Sequence, residues 1–428
     1  MVSKALVIGL GISGRAAAAL LLAKGFAVTA ADHRFEILQQ DPRIRSLIEK
    51  GLVVCSDQGV FRGFSLAVLS PGIEWSHPLV CQMRAARVTL ITEIELALRY
   101  LPNDLILGVT GSNGKTTTVL LTVHILNAAG KKAQALGNIG TALSDYALQA
   151  DKKEVLVIEL SSFQLQMLSI KPYFDAALIL NITPNHLNRH ASMQEYIEAK
   201  LRLASCLKPN GKLFISKQVM FAYIRSDSQV FDDGRQRDRD AKDVRLGMAE
   251  WENVQAARAL CSFCKVPKKI FDVSLKSFRK PPHRIEWVAE INGVAYYNDS
   301  KASNVDAVLH AVKLFEGSIL LIAGGVDKGA PYIPWIEGFQ GKVKQLIVYG
   351  EAAEKMEREL QPYFPLERVA TLLDAVQIAV TSAKPQDTVL FSPGCSSYDQ
   401  FTGYEQRGDA FKKELKKWTE KKLSSLQS

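Results

Sequence analysis

The stretch from Leu105 to Leu120, LILGVTGSNGKTTTVL, narrows what this chain can fold into more than any other segment. Leu105, Ile106, Leu107 and Val109 form a short apolar run suited to a buried parallel strand, and from Thr116 the pattern resumes as a helix that starts behind a lysine. Glycines at 108, 111 and 114 let the backbone between them turn sharply, so that successive N–H groups and the helix N-terminus converge on anionic oxygens. Gly111, Ser112, Asn113, Gly114, Lys115, Thr116 and Thr117 are therefore read as a nucleotide cradle. Lys115 is expected at the outer phosphates and the Thr116 hydroxyl toward Mg²⁺. The usual P-loop has a glycine where this chain has Val109, which makes the motif a variant, GxxGxxGKT.

A chain of 428 residues exceeds one ordinary core and suggests three domains at roughly 150 residues each. No run of about 20 apolar residues is present, so no membrane insertion is expected. The opening MVSKALVIGLGISG leads into a glycine motif and a helical pattern, and reads as a first strand, not as a signal peptide. Six scattered cysteines suit a reduced, cytoplasmic protein, and the Cys261/Cys264 pair reads as a buried helical face. The formal charge of +9 suits acidic ligands, but the C-terminal FKKELKKWTEKKLSSLQS alone carries six lysines against two glutamates. With no basic segment interleaved with aromatics, nucleic acid is not an expected partner.

In chain order, VSKALVIG, GLGISG, RAAAALLLAKG and FAVTAAD give strand, glycine turn, helix and strand, closing on Asp32. Alone this fingerprint predicts a dehydrogenase, yet such a turn holds any diphosphate, because the helix end recognises phosphate and not nicotinamide. SLAVLS runs into Ser70, Pro71 and Gly72, and ITEIELALRYLPND closes the unit near residue 98. Beyond the cradle, LGNIG makes a turn at a ligand edge and Val155 to Ile158 a strand that delivers Glu159 to its carboxyl end, where a carboxylate can serve Mg²⁺. Strand Ala176 to Leu180 leads into a polar loop with His186, and MQEYIEAKLRLASCL is a helix carrying Lys200. Strand KLFIS, a charge-dense stretch over 232–245 and a helix from about Ala249 to Cys264 follow, until Pro281 and Pro282 mark a boundary. The last unit pairs a hairpin around Asn292 and Gly293 with the glycine-ended strands SILLIAGG, QLIVYG and TVLFSPG. The expected fold is α/β in three domains: a Rossmann-like unit over 1–98, a P-loop ATPase-type unit over 99–280 and a second Rossmann-like unit over 281–428.

Taken together and in order, GVTGSNGKTTT, GNIG, ELSSFQL, NHLNRH, PHRIE, NDSKASN and SPGCSSYDQFTGYEQRG resemble the Mur ligase family over essentially the whole chain. The resemblance is narrowest to the branch that adds D-glutamate to UDP-N-acetylmuramoyl-L-alanine, and the absence of a DNPR segment argues against the diaminopimelate- or lysine-adding branch. It implies an ATP-dependent, Mg²⁺-assisted ligase working through an acyl phosphate in the cytoplasm, as a monomer. By resemblance Lys115 holds the β and γ phosphates, Thr116 and Glu159 serve one Mg²⁺, His186 a second, and Lys200 is the lysine that the family carbamylates. Gly11, Ile12, Ser13, Asp32, His33, Arg34 and Gly72 would bind the UDP end and Asn138 the same substrate. Asn253 would lie near adenine, Arg284, Asp299 and Lys301 would close over the nucleotide, and Ser303, Lys328, Ser397 and Tyr404 would hold D-glutamate. This chain departs from the family pattern at Asn185 and Asn188, where aspartate is frequent, at Ala249 and Glu250, in place of His-Asn, and at Tyr404, in place of phenylalanine.

Overall fold

Among the described residues three sheets organise the chain, and their central strands are short apolar runs buried on both faces. The computed structural model describes residues 3–101, 105–149, 153–183, 190, 192–222, 228–231, 250–339 and 341–426. In the first sheet, β1 (Lys4–Ile8), β2 (Ala27–Ala31), β3 (Val53–Cys55), β4 (Leu66–Leu69) and β5 (Thr89–Thr92) are all parallel in the order β3-β2-β1-β4-β5. Ala5 to Ile8 are wholly buried, as expected where helices cover both faces of a parallel sheet. The order reverses direction at β1, and the crevice beyond its carboxyl end is where such sheets receive ligands.

The second sheet contains β6 (Leu105–Thr110), β7 (Ala133–Gly137), β8 (Val155–Glu159), β9 (Phe174–Ile179), β10 (Leu207–Ser216) and β11 (Gln229–Phe231), ordered β11-β10-β9-β6-β8-β7 and again parallel. β6 lies between β9 and β8, so the glycine loop that leaves it opens at the switch point. β10 begins earlier than the KLFIS run suggests, because an irregular register between Leu207 and Lys212 lets it pair with Phe174 as well.

The third sheet holds β12 (Glu286–Ile291), β13 (Val294–Asn298), β14 (Ile319–Gly324), β15 (Val343–Tyr349), β16 (Leu366–Val369) and β17 (Thr388–Gly394) in the order β12-β13-β17-β14-β15-β16. It is a mixed sheet. β12 runs antiparallel to β13 through a turn in which Asn292 and Gly293 both have positive φ (54° and 73°), as a two-residue hairpin of the primed type requires. One face is packed by Tyr332, Trp335 and Phe339 in successive ring contacts, the other by Phe391 stacked on Phe411 of the C-terminal helix Tyr404–Leu426. The described residues form two compact units, the first carrying the first two sheets and the second carrying the third.

Cys261, on the helix Trp251–Phe263, and Cys264, one residue past its end, are both buried, and burial pushes both thiols up, that of Cys264 to about 11, so neither cysteine of the CxxC is poised as a thiolate. In the first glycine turn a Cβ on Gly14 would sit 1.9 Å from the Gly9 carbonyl oxygen. Gly14→Ala is expected to cost about 2 kcal/mol of stability through forced backbone movement. At Gly11 an added Cβ meets nothing within 4 Å, and alanine there should cost less than about 1 kcal/mol. Urea unfolding of the two variants compares them directly, and equal losses would contradict this account of the turn.

Candidate active site

Leaving β6, the chain turns through Gly111 to Gly114 and enters the helix Lys115–Ala128 with Gly114 as its N-cap at φ 80°, a conformation that a side chain would resist. The loop is pinned from the next strand: the Ser112 N–H donates to the Asn181 carbonyl at 2.9 Å and the Asn113 N–H to the Asn181 side-chain oxygen at 2.8 Å. Lys115 folds back so that its Nζ donates to the Gly111 and Ser112 carbonyls at 2.7 and 3.0 Å. Lys200, on the helix Met193–Ser205, is only 1% exposed and donates to the same Gly111 carbonyl at 2.8 Å. Burial drives its amine well below the ordinary lysine range, the nearby Lys115 charge drives it further, and Glu159 opposes both.

Glu159 ends β8 at 2% exposure. Its Oε2 accepts from the Thr116 hydroxyl at 2.7 Å and its Oε1 from the Asn138 side-chain amide at 2.9 Å. One carboxylate thus joins the first turn of the loop helix to the GNIG turn. Carboxylate and hydroxyl oxygens at one buried point are the donor chemistry that Mg²⁺ takes. His186, Asn185 and Asn188 lie outside the described residues, as do Ala249 and the whole charge-dense stretch over 232–245.

At the first sheet, Asp32 follows β2 and is 5% exposed. Its oxygens accept the Leu10 and Arg34 N–H groups at 2.8 and 2.9 Å, bracing the glycine turn, while the mostly exposed His33 and Arg34 side chains stand 3.6 Å from it. The Ser70 hydroxyl donates to the Gly9 carbonyl at 2.7 Å, so the segment leading to Gly72 closes on the same turn. Gly11 caps the helix Ile12–Ala23, and Ile12, followed by Ser13, is 70% exposed at its start.

In the third sheet, Asp299, Lys301 and Ser303 follow β13, Lys328 follows β14 and Ser397 follows β17, three neighbouring strands with one carboxyl edge. Arg284 lies between His283 and Ile285, both held at positive φ (65° and 50°). Lys301 stands 3.8 Å from the ring centroid of Tyr404. Burial lowers the Lys328 amine and Arg407 lowers it further, while Cys395 acts against them. Asn253 donates its side-chain amide to Glu250 at 2.7 Å, and Lys280 donates to the same carboxylate at 2.8 Å. Two participants escaped the motif reading: Asn181, whose only signal is its place one residue past Leu180 at a strand end, and Arg407, wholly buried within the quoted GYEQRG block. Arg407 donates to the Ser300 hydroxyl and carbonyl and to the Cys395 carbonyl at 3.0, 2.7 and 3.1 Å, tying the loop after β13 to the loop after β17.

Asp299 is buried, and that burial pushes its carboxyl up to about 7, against hydrogen bonds from Ser392 and the Ile285 N–H and the charges of Lys280 and Arg284. Because the folded state binds this proton more tightly than the unfolded chain does, stability falls as pH rises from about 4 through about 7. Asp299→Asn keeps an oxygen for the Ile285 N–H and carries no titrating proton. The stability of the wild type relative to this variant is expected to decline across that window, and a pH-independent difference in urea midpoints would contradict the assignment.

Comparison with known proteins places these features in one family. Residues 3–92 match the family description "Mur ligase MurD-like, N-terminal domain", 109–276 match "Mur ligase middle domain" and 283–395 match "Mur ligase, glutamate ligase domain". The chain is 41% identical to the UDP-N-acetylmuramoylalanine–D-glutamate ligase of Protochlamydia amoebophila, covering 96% of this chain and 98% of that one. Its identity to the protein of the same name in Acidobacterium capsulatum is 39%, over 96% and 95% of the two chains. In fold it is similar to the MurF ligase of Thermotoga maritima solved with ADP, at a TM-score of 0.57 and 18% identity over 83% of this chain and 90% of that one. With three successive family domains matched and relatives this similar along nearly its full length, the chain belongs to the Mur ligase family.

Proposed function

We propose that this protein is the ATP-dependent ligase that joins D-glutamate to UDP-N-acetylmuramoyl-L-alanine in peptidoglycan precursor synthesis. The observation that carries the reading is the pair Lys115 and Lys200 on the Gly111 carbonyl, beside the Thr116–Glu159 hydrogen bond. A lysine pair and an oxygen-donor pair around one glycine loop suit a reaction that brings a carboxylate against a triphosphate. The domains follow the three sheets, with boundaries at 98/99 and 280/281.

The alanyl carboxylate of the sugar nucleotide attacks the γ-phosphorus, forming an acyl phosphate as the bond to ADP breaks. The amine of D-glutamate then attacks the acyl carbon. After a tetrahedral intermediate, phosphate departs, the new amide forms and the amine loses its proton. In this scheme Lys115 exchanges its bonds to the loop carbonyls for the β and γ phosphates and offsets repulsion between the two anions. Thr116 and Glu159 fit a divalent cation, with His186 assigned to a second; such an ion supplies further neutralisation of phosphate charge. Lys200, its amine driven well below the ordinary lysine range by burial and the nearby Lys115 charge, is the side chain assigned to capture CO₂, and as a carbamate it would present anionic oxygens. At the first sheet the turn at Gly11, Ile12 and Ser13, with Asp32, His33, Arg34 and Gly72, takes the UDP end, and Asn138 reaches the same substrate. In the third sheet Arg284, Asp299 and Lys301 close on the nucleotide and Asn253 on adenine, while Lys328, with Ser303, Ser397 and Tyr404, takes the amino acid carboxylates. No described helix is long and apolar enough to cross a membrane, which suits an enzyme that meets ATP in the cytoplasm.

The direct assay is ADP release with UDP-N-acetylmuramoyl-L-alanine while one amino acid is varied at a time. D-Glutamate is expected to drive release at least tenfold faster than L-glutamate or L-alanine, and a different preferred acceptor would overturn the reading. In the same assay Lys328→Ala should raise the KM for D-glutamate by tenfold or more and leave that for ATP within threefold. For the lysine on the loop helix's neighbour, Lys200→Ala is expected to lose at least a hundredfold in kcat and to regain part of it with added short-chain carboxylates. A fully active alanine variant would remove that role.

A further inference from the structure

The short helix Glu93–Leu98, at the end of β5 in the first sheet, is buried at every position, two glutamates included. Glu93 is 3% exposed and Glu95 is 1% exposed. Carboxylates are seldom buried this deeply unless they hold something in place. Both accept hydrogen bonds from the second sheet. Glu93 Oε1 takes the backbone N–H of Ser144 at 2.5 Å. Glu95 takes the Ser169 N–H at 2.9 Å and the Ser169 hydroxyl at 2.7 Å, with Arg99 at 2.8 Å as its counter-ion.

The two partners lie on the chain segments that follow Asn138 and Glu159. Ser144 lies at the start of the helix Leu143–Ala147, directly after the turn that carries Asn138, and Asn138 is bonded to Glu159 through its side-chain amide and, from its backbone N–H to the Glu159 carbonyl, at 3.0 Å. Ser169 follows the helix Ser162–Met167, which starts two residues after Leu160, itself anchored by its N–H to the Val109 carbonyl. One segment approaches Glu159 from the side of Asn138; the other leaves it along the ELSSFQL motif. We infer that Glu93 and Glu95 are positioning residues for this reaction, holding from the first sheet the two segments that aim Asn138 and Glu159 at the phosphate loop. This rests on the function proposed above for the Glu159 site and adds to it two residues that act through Ser144 and Ser169. A fold needing only adhesion between these elements is served as well by apolar side chains of the same volume, because a buried acid costs desolvation that its bonds must offset.

The test separates an acceptor that aims a loop from mere filling. Glu93→Met keeps the volume and removes the acceptor; Glu93→Gln keeps an oxygen for the Ser144 N–H. Burial pushes the Glu93 carboxyl up to about 7, against the Ser144 hydrogen bonds, so the neutral amide is a close replacement for the form favoured below that pH. Glu93→Met is expected to lower kcat for ADP release about tenfold with the KM for ATP changed less than twofold. Glu93→Gln should stay within twofold of wild type, and Glu95→Met should repeat the kcat loss. Hydrogen–deuterium exchange provides the second readout, independent of turnover: the Asn138 amide should exchange at least tenfold faster in Glu93→Met and unchanged in Glu93→Gln. If wild-type protein releases no ADP, the proposed reaction fails while the exchange experiment still decides the positioning role. Unaltered Asn138 protection in Glu93→Met, or a melting-temperature fall with unchanged kcat in both methionine variants, would overturn it.

Discussion

Two lysine side chains donating to one carbonyl oxygen is the arrangement on which the centre of this molecule depends. Ammonium groups held on the Gly111 oxygen sit within about 5.5 Å of each other, where two unit charges in a medium of effective dielectric constant about 20 repel by roughly 3 kcal/mol. Such crowding persists only where the backbone holds it. Gly114 sets the loop's exit, Asn181 fixes two of its N–H groups, and Glu159 supplies the opposing charge. The strain falls on Lys200, which is the more deeply buried, and its amine is therefore the one most easily deprotonated.

Cationic side chains also stand at the carboxyl edges of the other sheets. In the first, the exposed His33 and Arg34 side chains stand beside Asp32, whose oxygens are already engaged by backbone N–H groups and so brace the turn. In the third, Lys328 follows β14 and the buried Arg407 bridges the loops after β13 and β17. Parallel sheets place their loops and helix N-termini at that edge, so each unit begins with a partial positive potential to which a few lysines and arginines need only be added. Three α/β sheets thus present the same kind of edge with different loops, and the chain matches three successive domains of the family.

What could be read from the sequence alone divides along a physical line. The strands that carry the sites were legible because buried parallel strands are unbroken apolar runs, as in Ile106 to Val109 and Val155 to Ile158. The hairpin at Asn292 and Gly293 was legible because its backbone needs those residue types. Motif glycines and Lys115 were legible because phosphate binding demands them within a few residues of one another. Asn181, Glu93, Glu95 and Arg407 were not, since each acts on a partner 51 to 107 positions away and a local pattern carries no trace of that distance. Burial of Lys200 belongs with these: its helix reads as amphipathic with an ordinary surface lysine, and only packing against the glycine loop makes it otherwise.

The departure from the family pattern at Glu250 illustrates how such long-range pairing repairs a local change. Burial would raise this carboxyl, yet Lys280 and the more distant His310 hold it down at about 2, so an acid stands where the family has a neutral amide. Lys280 is itself 2% exposed in its side chain, and the two charges are removed from water together. An ionised carboxylate only accepts hydrogen bonds. The Asn253 amide must therefore turn its NH₂ group to Glu250 and its carbonyl oxygen away, an orientation that an asparagine at position 250, able to donate or accept, would leave open. The substitution removes one neutral hydrogen-bonding partner and, with Lys280 beside it, fixes the direction of the next.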